Sequence, residues 1–403
     1  MSNVSSSNSQ KATVPKLRFP EFIEEWNTDS LSNLGTFTKG AGLSKADITK
    51  EGTPFILYGE LYTTYGDVVY EIKRKTDKIV PNECYSKIGD VLIPTSGETP
   101  EEIATSSCIM AQGVILAGDL NIFRSTIVDG RFMSYLVNHV IDKKIARIAQ
   151  GKSVVHIQAK ELKKIVINFP NQKEQLKIVN LIELIDLKIK KQELLIQNLK
   201  SYKRGLFVRL FSTYYKKKIS FFEIYEKASE GGTPSTSNQK YYTNGTIPFA
   251  KIEDLSSHYL TSTNSYITKD GLNNSSAWII PTGNIIFSNG ATIGACTINK
   301  IPISTKQGIL GIVLKDAYSS EYLYHYFTSD DFMHRIKSIT TKGTMDCAYL
   351  KDINTIKFDI PDISDQKEIA LIMNKLDAVI DKNIDLLSNI QYSKKGMLQR
   401  LFI

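Results

Sequence analysis

Two stretches of this chain are one plan written twice. Residues 170–211 and 361–402, 42 positions each, lie over one another at a constant offset of 191 without a gap. Identities recur along the whole length: Pro170/Pro361, Gln175/Gln366, Ile178/Ile369, Asp186/Asp377, Ile189/Ile380, Lys191/Lys382, Leu195/Leu386 and Asn198/Asn389. They continue through Lys203/Lys394 and Gly205/Gly396 to the closing Arg209-Leu-Phe211 and Arg400-Leu-Phe402. Apolar residues of the first copy fall at Ile178, Ile182, Ile185, Ile189, Ile196, Leu199, Leu206 and Leu210. Those of the second fall at Ile369, Met373, Leu376, Ile380, Leu387, Ile390, Met397 and Leu401. Alternating steps of four and three mark a heptad seam. Both copies interrupt it at the same two places, Gln192 with Asn383 and Lys203 with Lys394; a polar residue in a seam lowers stability and fixes register. About 37 helical residues make a rod of roughly 55 Å, longer than a small domain needs, so two surface helices packed on their own domains is the lesser reading. The expectation is two long helices packed as an antiparallel coiled coil in a pseudo-twofold molecule, which suits a target with two separated halves. Pro170 and Pro361 mark extended approaches, because the residue before proline avoids helix.

Between the helices the text changes. Short β-rich runs such as Val91-Leu-Ile93, Ile165-Val-Ile167, Ile285-Ile-Phe287 and Ile309-Leu-Gly-Ile-Val-Leu314 are broken by Gly, Pro, Asn and Ser. Each such region carries a helical stretch near its end, residues 130–149 and 320–339, with Tyr135 falling on Tyr326 and Ile145 on Ile336 at the same offset. The expected fold is therefore α/β: a disordered lead-in over 1–14, a globular α/β domain over 15–169, a spacer helix over 170–212, a second domain over 213–360 and a second helix over 361–403. At 403 residues the chain is too long for one ordinary core. Four scattered cysteines (84, 108, 296, 347) have no metal-knuckle spacing and fit reduced thiols in a cytoplasmic protein. No apolar stretch is long enough to span a bilayer, so no membrane partner is expected. A formal charge of +8 makes a polyanion plausible as partner.

Shorter fragments carry a resemblance. Pro15-Lys-Leu-Arg-Phe-Pro20 with Trp26 opens the first domain; Lys39-Gly40, Leu43-Ser-Lys45, Ile56-Leu-Tyr-Gly-Glu-Leu-Tyr62 and Gly89-Asp-Val-Leu-Ile93 follow. The second half has Gly231-Gly-Thr-Pro-Ser235, Tyr241-Tyr242, Gly245-Thr-Ile-Pro248, Gly283-Asn-Ile-Ile-Phe287 and Gly290-Ala-Thr-Ile-Gly294. In order and spacing, with the duplicated helix, these resemble the specificity (S) subunit of type I restriction–modification systems over nearly the whole chain. The resemblance implies a non-catalytic subunit with two target recognition domains that reads an asymmetric bipartite site in double-stranded DNA. It also implies two methyltransferase subunits and two restriction/translocase subunits as partners. S-adenosylmethionine, ATP and Mg2+ would belong to those partners, with no cofactor on this chain. The first domain lacks the Gly-Gly-Thr-Pro-Ser opening, so the two domains are expected to read different half-sites.

Reading DNA takes cations for phosphates and amides, carboxylates or guanidinium groups for base edges. The candidates of the first domain are Tyr58, Glu60, Tyr62, Ser96, Glu98 and Thr99, with Lys39, Lys45 and Lys152 for phosphates. Those of the second are Lys251, Glu253, Asp254, Ser288, Asn289, Thr305, Lys306 and Gln307. Lys342, in Lys342-Gly-Thr344, matches the Gly-Lys pair of Gln150-Gly-Lys-Ser153 one residue out of register; a helix cap with a surface lysine fits these segments equally well. For any single residue the plainer reading is a solvated loop or turn position. Gly-Lys-Ser at 151–153 is no P-loop, because Ala146 stands where a glycine is required and the preceding text is helical. Catalysis finds no support. Twelve prolines include no adjacent pair, which excludes the Asn-Pro-Pro-aromatic signature of adenine methyltransferases. Pro361-Asp362 with Asp365-Gln-Lys367 sits at a helix start, where acidic residues serve as caps. Five histidines make no ligand or triad spacing, and no metal site is expected. The rival readings are a helical interaction scaffold with incidental basic charge, and an autonomous nuclease.

Overall fold

The computed structural model describes residues 14–149, 155–290, 292–341 and 346–402. Most of the lead-in, Lys152 with Gln150-Gly-Lys-Ser153, and Lys342-Gly-Thr344 lie outside the described residues. The chain divides into two compact units, residues 1–193 with 386–403, and residues 194–385. Each is α/β, and each repeats the same plan.

In the first unit a five-stranded sheet runs Thr36–Lys39, Leu120–Arg124, Asp90–Pro94, Ser107–Ile109, Val68–Val69, antiparallel until its last, parallel pair. The second unit repeats it as Tyr225–Glu230, Ile309–Leu314, Ile285–Ser288, Cys296–Asn299, Tyr259–Leu260, again with one parallel pair at the same edge. A three-stranded sheet accompanies each: Arg74–Thr76, Thr53–Ile56, Ile115–Leu116, and Tyr266–Ile267, Ile247–Ala250, Ser304–Thr305. The near-continuous burial of strands such as Asp90–Pro94 and Ile285–Ser288 explains their runs of Val, Ile and Leu.

Helix α1 (Gly130–Leu136) continues through a π turn into Asp142–Ile148. Its counterpart in the second unit, α3 (Ser320–Phe327), stops, and a fresh helix capped by Ser329 runs over Asp330–Ile339. The caps correct the sequence alignment here. Asp129 caps α1 and Ser319 caps α3, so Tyr135 stands opposite His325 rather than Tyr326.

The two repeats are the long helices α2 (Gln172–Thr213) and α4 (Ile363–Leu401). Within the first unit Ile178, Val179 and Ile182 of α2 share a core with Leu398, Leu401 and Phe402, so those helix segments run antiparallel. Within the second unit Phe207 of α2 meets Ile369, Ala370 and Met373 of α4 in the same sense. The seam faces inward: Ile178, Ile182, Ile196, Ile369, Met373 and Ile380 are buried, and Ile185, Ile189, Leu199, Leu376, Leu387 and Ile390 are half-buried. Gln192 is buried; Asn383 donates its amide to the Val379 carbonyl at 2.7 Å. The seam lysines have carboxylate partners, Lys394 with Asp186 at 2.5 Å and Lys203 with Asp377 at 2.5 Å. Both members of each pair are among the shared residues.

A second shared residue ties helix to domain. Gln175 accepts a hydrogen bond from the Asp129 backbone N–H at 2.7 Å and donates to the Pro170 carbonyl at 2.8 Å. Gln366 does the same with Ser319 N–H at 2.9 Å and Pro361 at 2.8 Å. Each latch fixes the cap of the domain helix against the start of the long helix.

The second unit also ties these elements with ionisable groups. Burial opposes the charge on Glu321, but hydrogen bonds from His258, Tyr259 and Asn374 and the charge of His258 hold its carboxyl at about 2 against an ordinary 4.5. Burial pushes His325 well below its ordinary 6.5. Both shifts are downward, so both contributions are present at neutral pH and lost on acidification. His325 gives way first, below 6.5, as the unfolded histidine takes a proton; Glu321 follows from 4.5 toward 2. The urea midpoint of the second unit is expected to fall through this window, and to fall less steeply below pH 4.5 in Glu321→Gln. Equal slopes in the two proteins would remove Glu321 from the account.

Candidate nucleic-acid interface

In each unit the ends of three or four strands converge on one cluster of loops. In the second unit the backbone of Gly231 donates to Ile309 at 2.9 Å, Lys306 to Ala250 at 3.0 Å, and Asn289 and Gly290 to Gly308 at 3.1 and 3.2 Å. The Gln307 N–H reaches the Thr233 hydroxyl at 3.4 Å. The packing leaves no room for side chains at two places. A Cβ on Gly231 would stand 1.9 Å from the Thr305 carbonyl oxygen, and one on Gly232 2.3 Å from the Ser276 hydroxyl. Gly-Gly in the Gly231-Gly-Thr-Pro-Ser235 motif is thus required by close approach of neighbouring backbone. The first unit builds the same place from Ala117 donating to Ile56 at 3.0 Å, Ala41 to Leu116 at 2.8 Å and Thr95 to Asp119 at 2.7 Å. There Gly40 sits against the Ala117 carbonyl, where a Cβ would come within 2.0 Å.

Some candidates read from sequence face solvent at these loops. Lys39, Lys45, Glu98, Glu253, Lys306 and Gln307 are exposed, and Tyr58, Tyr62 and Lys251 are half-buried. Others are turned inward. Glu60 is buried, ion-paired to Arg74 at 2.6 Å and accepting from the Leu57 N–H at 3.1 Å. Asp254 is buried and accepts from the backbone of Lys251 at 2.9 Å and the Asn264 amide at 3.1 Å. Asn289 donates to Glu230 at 2.7 Å and to the Ala348 carbonyl at 3.1 Å, and Thr305 donates to the Ile309 carbonyl at 3.2 Å. Ser288 lies in a strand with a fully buried side chain, and Ser96 pairs with His156 in a short ladder. Thr99 is exposed but caps the helix Pro100–Ile103, accepting from Glu102 N–H at 3.2 Å. These residues shape the loops and leave their exposed neighbours at the surface. The Ser288 hydroxyl, in its strand, has no hydrogen-bond partner among the described residues; for Glu60, Asp254, Asn289, Thr305 and Thr99 the physical reason is shared. Buried polar atoms of tight loops are recruited to satisfy the backbone groups that such loops leave unpaired.

Two exposed groups were not among the candidates. Thr233 lies inside the Gly231-Gly-Thr-Pro-Ser235 motif, so the sequence does mark it. His156 stands at the end of Val155–His156 with no local pattern to mark it. Together each cluster offers lysine ammonium groups suited to phosphates and amide, hydroxyl or carboxylate groups suited to base edges. No group of residues placed to hold a metal occurs among the described residues.

Residues 216–391 match the family described as type I restriction modification DNA specificity domain. The MjaIX specificity subunit of Methanocaldococcus jannaschii is 30% identical over 154 residues, which is 38% of this chain and 35% of that protein. The EcoR124I/EcoR124II specificity subunit of Escherichia coli is 26% identical over 155 residues, 37% of this chain and 38% of that protein. The match thus spans little more than a third of each curated relative. Among solved structures, the type I S subunit from M. genitalium has a TM-score of 0.57 at 17% identity, covering 97% of this chain and 99% of its own. A chain from a structure concerned with complex assembly and conformational transition of the type I restriction–modification system has a TM-score of 0.60 at 15% identity, covering 94% and 97%. No helix among the described residues is long and apolar enough to cross a membrane. The second half of the chain is thus similar to the type I restriction modification DNA specificity domain, and the fold along its length is that of solved type I S subunits.

Proposed function

We propose that this chain is the DNA sequence-recognition subunit of a type I restriction–modification complex in the cytoplasm, with one half-site of an asymmetric bipartite target read by each unit. The observation that carries this is a shared frame with divergent loop text. Both units bring the same strand ends together, yet the exposed groups there are Lys39 and Glu98 in one and Thr233, Lys306 and Gln307 in the other. Identical frames bearing different side chains suit a target whose two halves differ in sequence.

The chain itself performs no chemistry in this reading. Two methyltransferase subunits dock along the long helices and bring S-adenosylmethionine; two restriction/translocase subunits bring ATP and Mg2+. The helix faces support a docking role. Away from the seam, α2 exposes Leu184 and Leu187 in the first unit and Leu194, Leu195 and Tyr202 in the second. A helix apolar on the side opposite its seam has a second surface to cover.

The test is gel-shift binding and methylome sequencing with the chain co-expressed with its methyltransferase subunit. A modified bipartite motif supports the reading; absence of sequence-dependent binding by the joint complex sinks it and favours the scaffold. The spacer offers a sharper measurement. Inserting one heptad into both α2 and α4 adds about 10 Å to each helix, and is expected to change the number of base pairs between the half-sites. Altered half-site sequences would instead refute the helices as the measure of that distance.

A further inference from the structure

Each recognition domain is clasped to its long helix by a tyrosine on or just after its edge strand, the second residue of its domain helix and a residue of the long helix; the last two stand at equivalent places, and the charge is permuted between them. In the first unit the carboxylate stands on the long helix. Glu183 of α2 accepts from the Tyr70 hydroxyl at 2.5 Å and from the Arg131 guanidinium at 3.1 Å. Arg131 is the second residue of α1 and is also paired with the capping Asp129 at 2.9 Å. In the second unit position 374, which is 183 shifted by the repeat offset, is Asn374, and the carboxylate stands on the domain helix. Glu321, the second residue of α3, accepts from the Tyr259 hydroxyl at 2.9 Å and from the Asn374 amide at 3.2 Å. His258 and Lys300 approach the same carboxylate at 3.2 and 3.4 Å. The other face of Asn374 meets His325 Nε2 at 2.6 Å.

The geometry is thus common and the chemistry is not interchangeable. Seating the second domain on the helix segment that carries Glu183 would oppose Glu321 to a second carboxylate, with no Arg131 between them. Seating the first domain over Asn374 would leave Arg131 without its helix carboxylate. Like charges brought together at a half-buried site are strongly disfavoured, and one of the two must give way. The Gln175 and Gln366 latches are the same in both units and cannot discriminate, so discrimination falls to positions 183 with 131 and 374 with 321.

We propose that this clasp is a seating code: it decides which recognition domain is accepted by which segment of the helix pair, and Glu183, Arg131, Glu321 and Asn374 are its positioning residues. The consequence for order in a bipartite target rests on the DNA-recognition reading; the clasp itself does not. It is tested by hydrogen–deuterium exchange on the full chain without DNA. Asn374→Glu is expected to accelerate exchange in α3 and in Tyr259–Leu260 by about tenfold or more, with the first unit unchanged. Adding Glu321→Arg recreates the charge order of the first unit and is expected to bring exchange back to near the starting rate, a rescue that loss of packing alone would not show. Should Asn374→Glu prevent folding, Arg131→Glu supplies the converse: faster exchange in α1, repaired by adding Glu183→Asn. Unchanged exchange in a single variant, or a double variant no slower than its single, overturns the proposal. If the rescue occurs while the chain with its methyltransferase subunit binds no DNA, the seating code stands and the DNA-recognition reading falls.

Discussion

Arg18→Ala is expected to destabilise the first unit by about 3–5 kcal/mol, the usual range when one partner of a buried ion pair is removed. Glu174 near the start of α2 is almost wholly buried, its side chain 1% exposed, and Arg18 grips it with two hydrogen bonds of 2.8 Å each. Trp26 adds an indole N–H at 3.3 Å. Without Arg18 the carboxylate keeps only that neutral donor and must either stay charged in an apolar setting or take up a proton. The same carboxylate holds the guanidinium above its ordinary value. Replacing both partners, Arg18→Met with Glu174→Leu, is expected to recover most of the loss, because the penalty arises from the orphaned charge rather than from the missing bond. Urea unfolding followed by the near-ultraviolet signal of Trp26 reads both. A single variant within about 1 kcal/mol of wild type would mean that solvent reaches Glu174 and that the pair behaves like a surface one.

Gly231→Ala is expected to lower the stability of the second unit by about 3 kcal/mol, the upper end of the overpacking range. The new methyl carbon would stand 1.9 Å from the Thr305 carbonyl oxygen and 2.3 Å from its hydroxyl. Neither is the free end of a flexible chain. Thr305 lies in Ser304–Thr305, paired parallel to Ile247–Ala250, so yielding at Thr305 disturbs the strand that presents Lys306 and Gln307. On the proposed function the loss should be confined to the second half-site: base changes there should cease to matter while those in the first still do. An equal loss over both half-sites would mean the loop cluster is not the reading surface of its unit.

The frame was legible in the sequence because its signals are periodic and repeated. The heptad pattern, the constant offset and the two prolines marked both long helices, and the α/β texture between them is what the structure contains. Long-range partners were not legible. The opening Pro15-Lys-Leu-Arg-Phe-Pro20 with Trp26 stood out, yet the reason for it, Glu174, lies 156 residues from Arg18. In the sequence Lys203 and Lys394 read as interruptions and Asp186 and Asp377 as shared residues, but only the antiparallel packing of the helix segments joins them. Strand ends mark the candidate loops in the sequence, whereas the direction of each side chain depends on which backbone groups of the loop lack partners. Hence Lys306 and Gln307 face outward, while Asn289 and Thr305, similar in character, face inward.

The core of the first unit includes Leu398, Leu401 and Phe402, and the Leu17 N–H bonds to the Arg400 carbonyl at 2.8 Å. The second unit draws on one unbroken run, residues 194–385. On the ribosome this reverses the usual N-terminal-first order: the unit encoded first waits for its own last helical turns, after the other unit has received all of its chain. A chain stopped before Leu398 would therefore hold all of residues 194–385 and lack part of the core of the first unit.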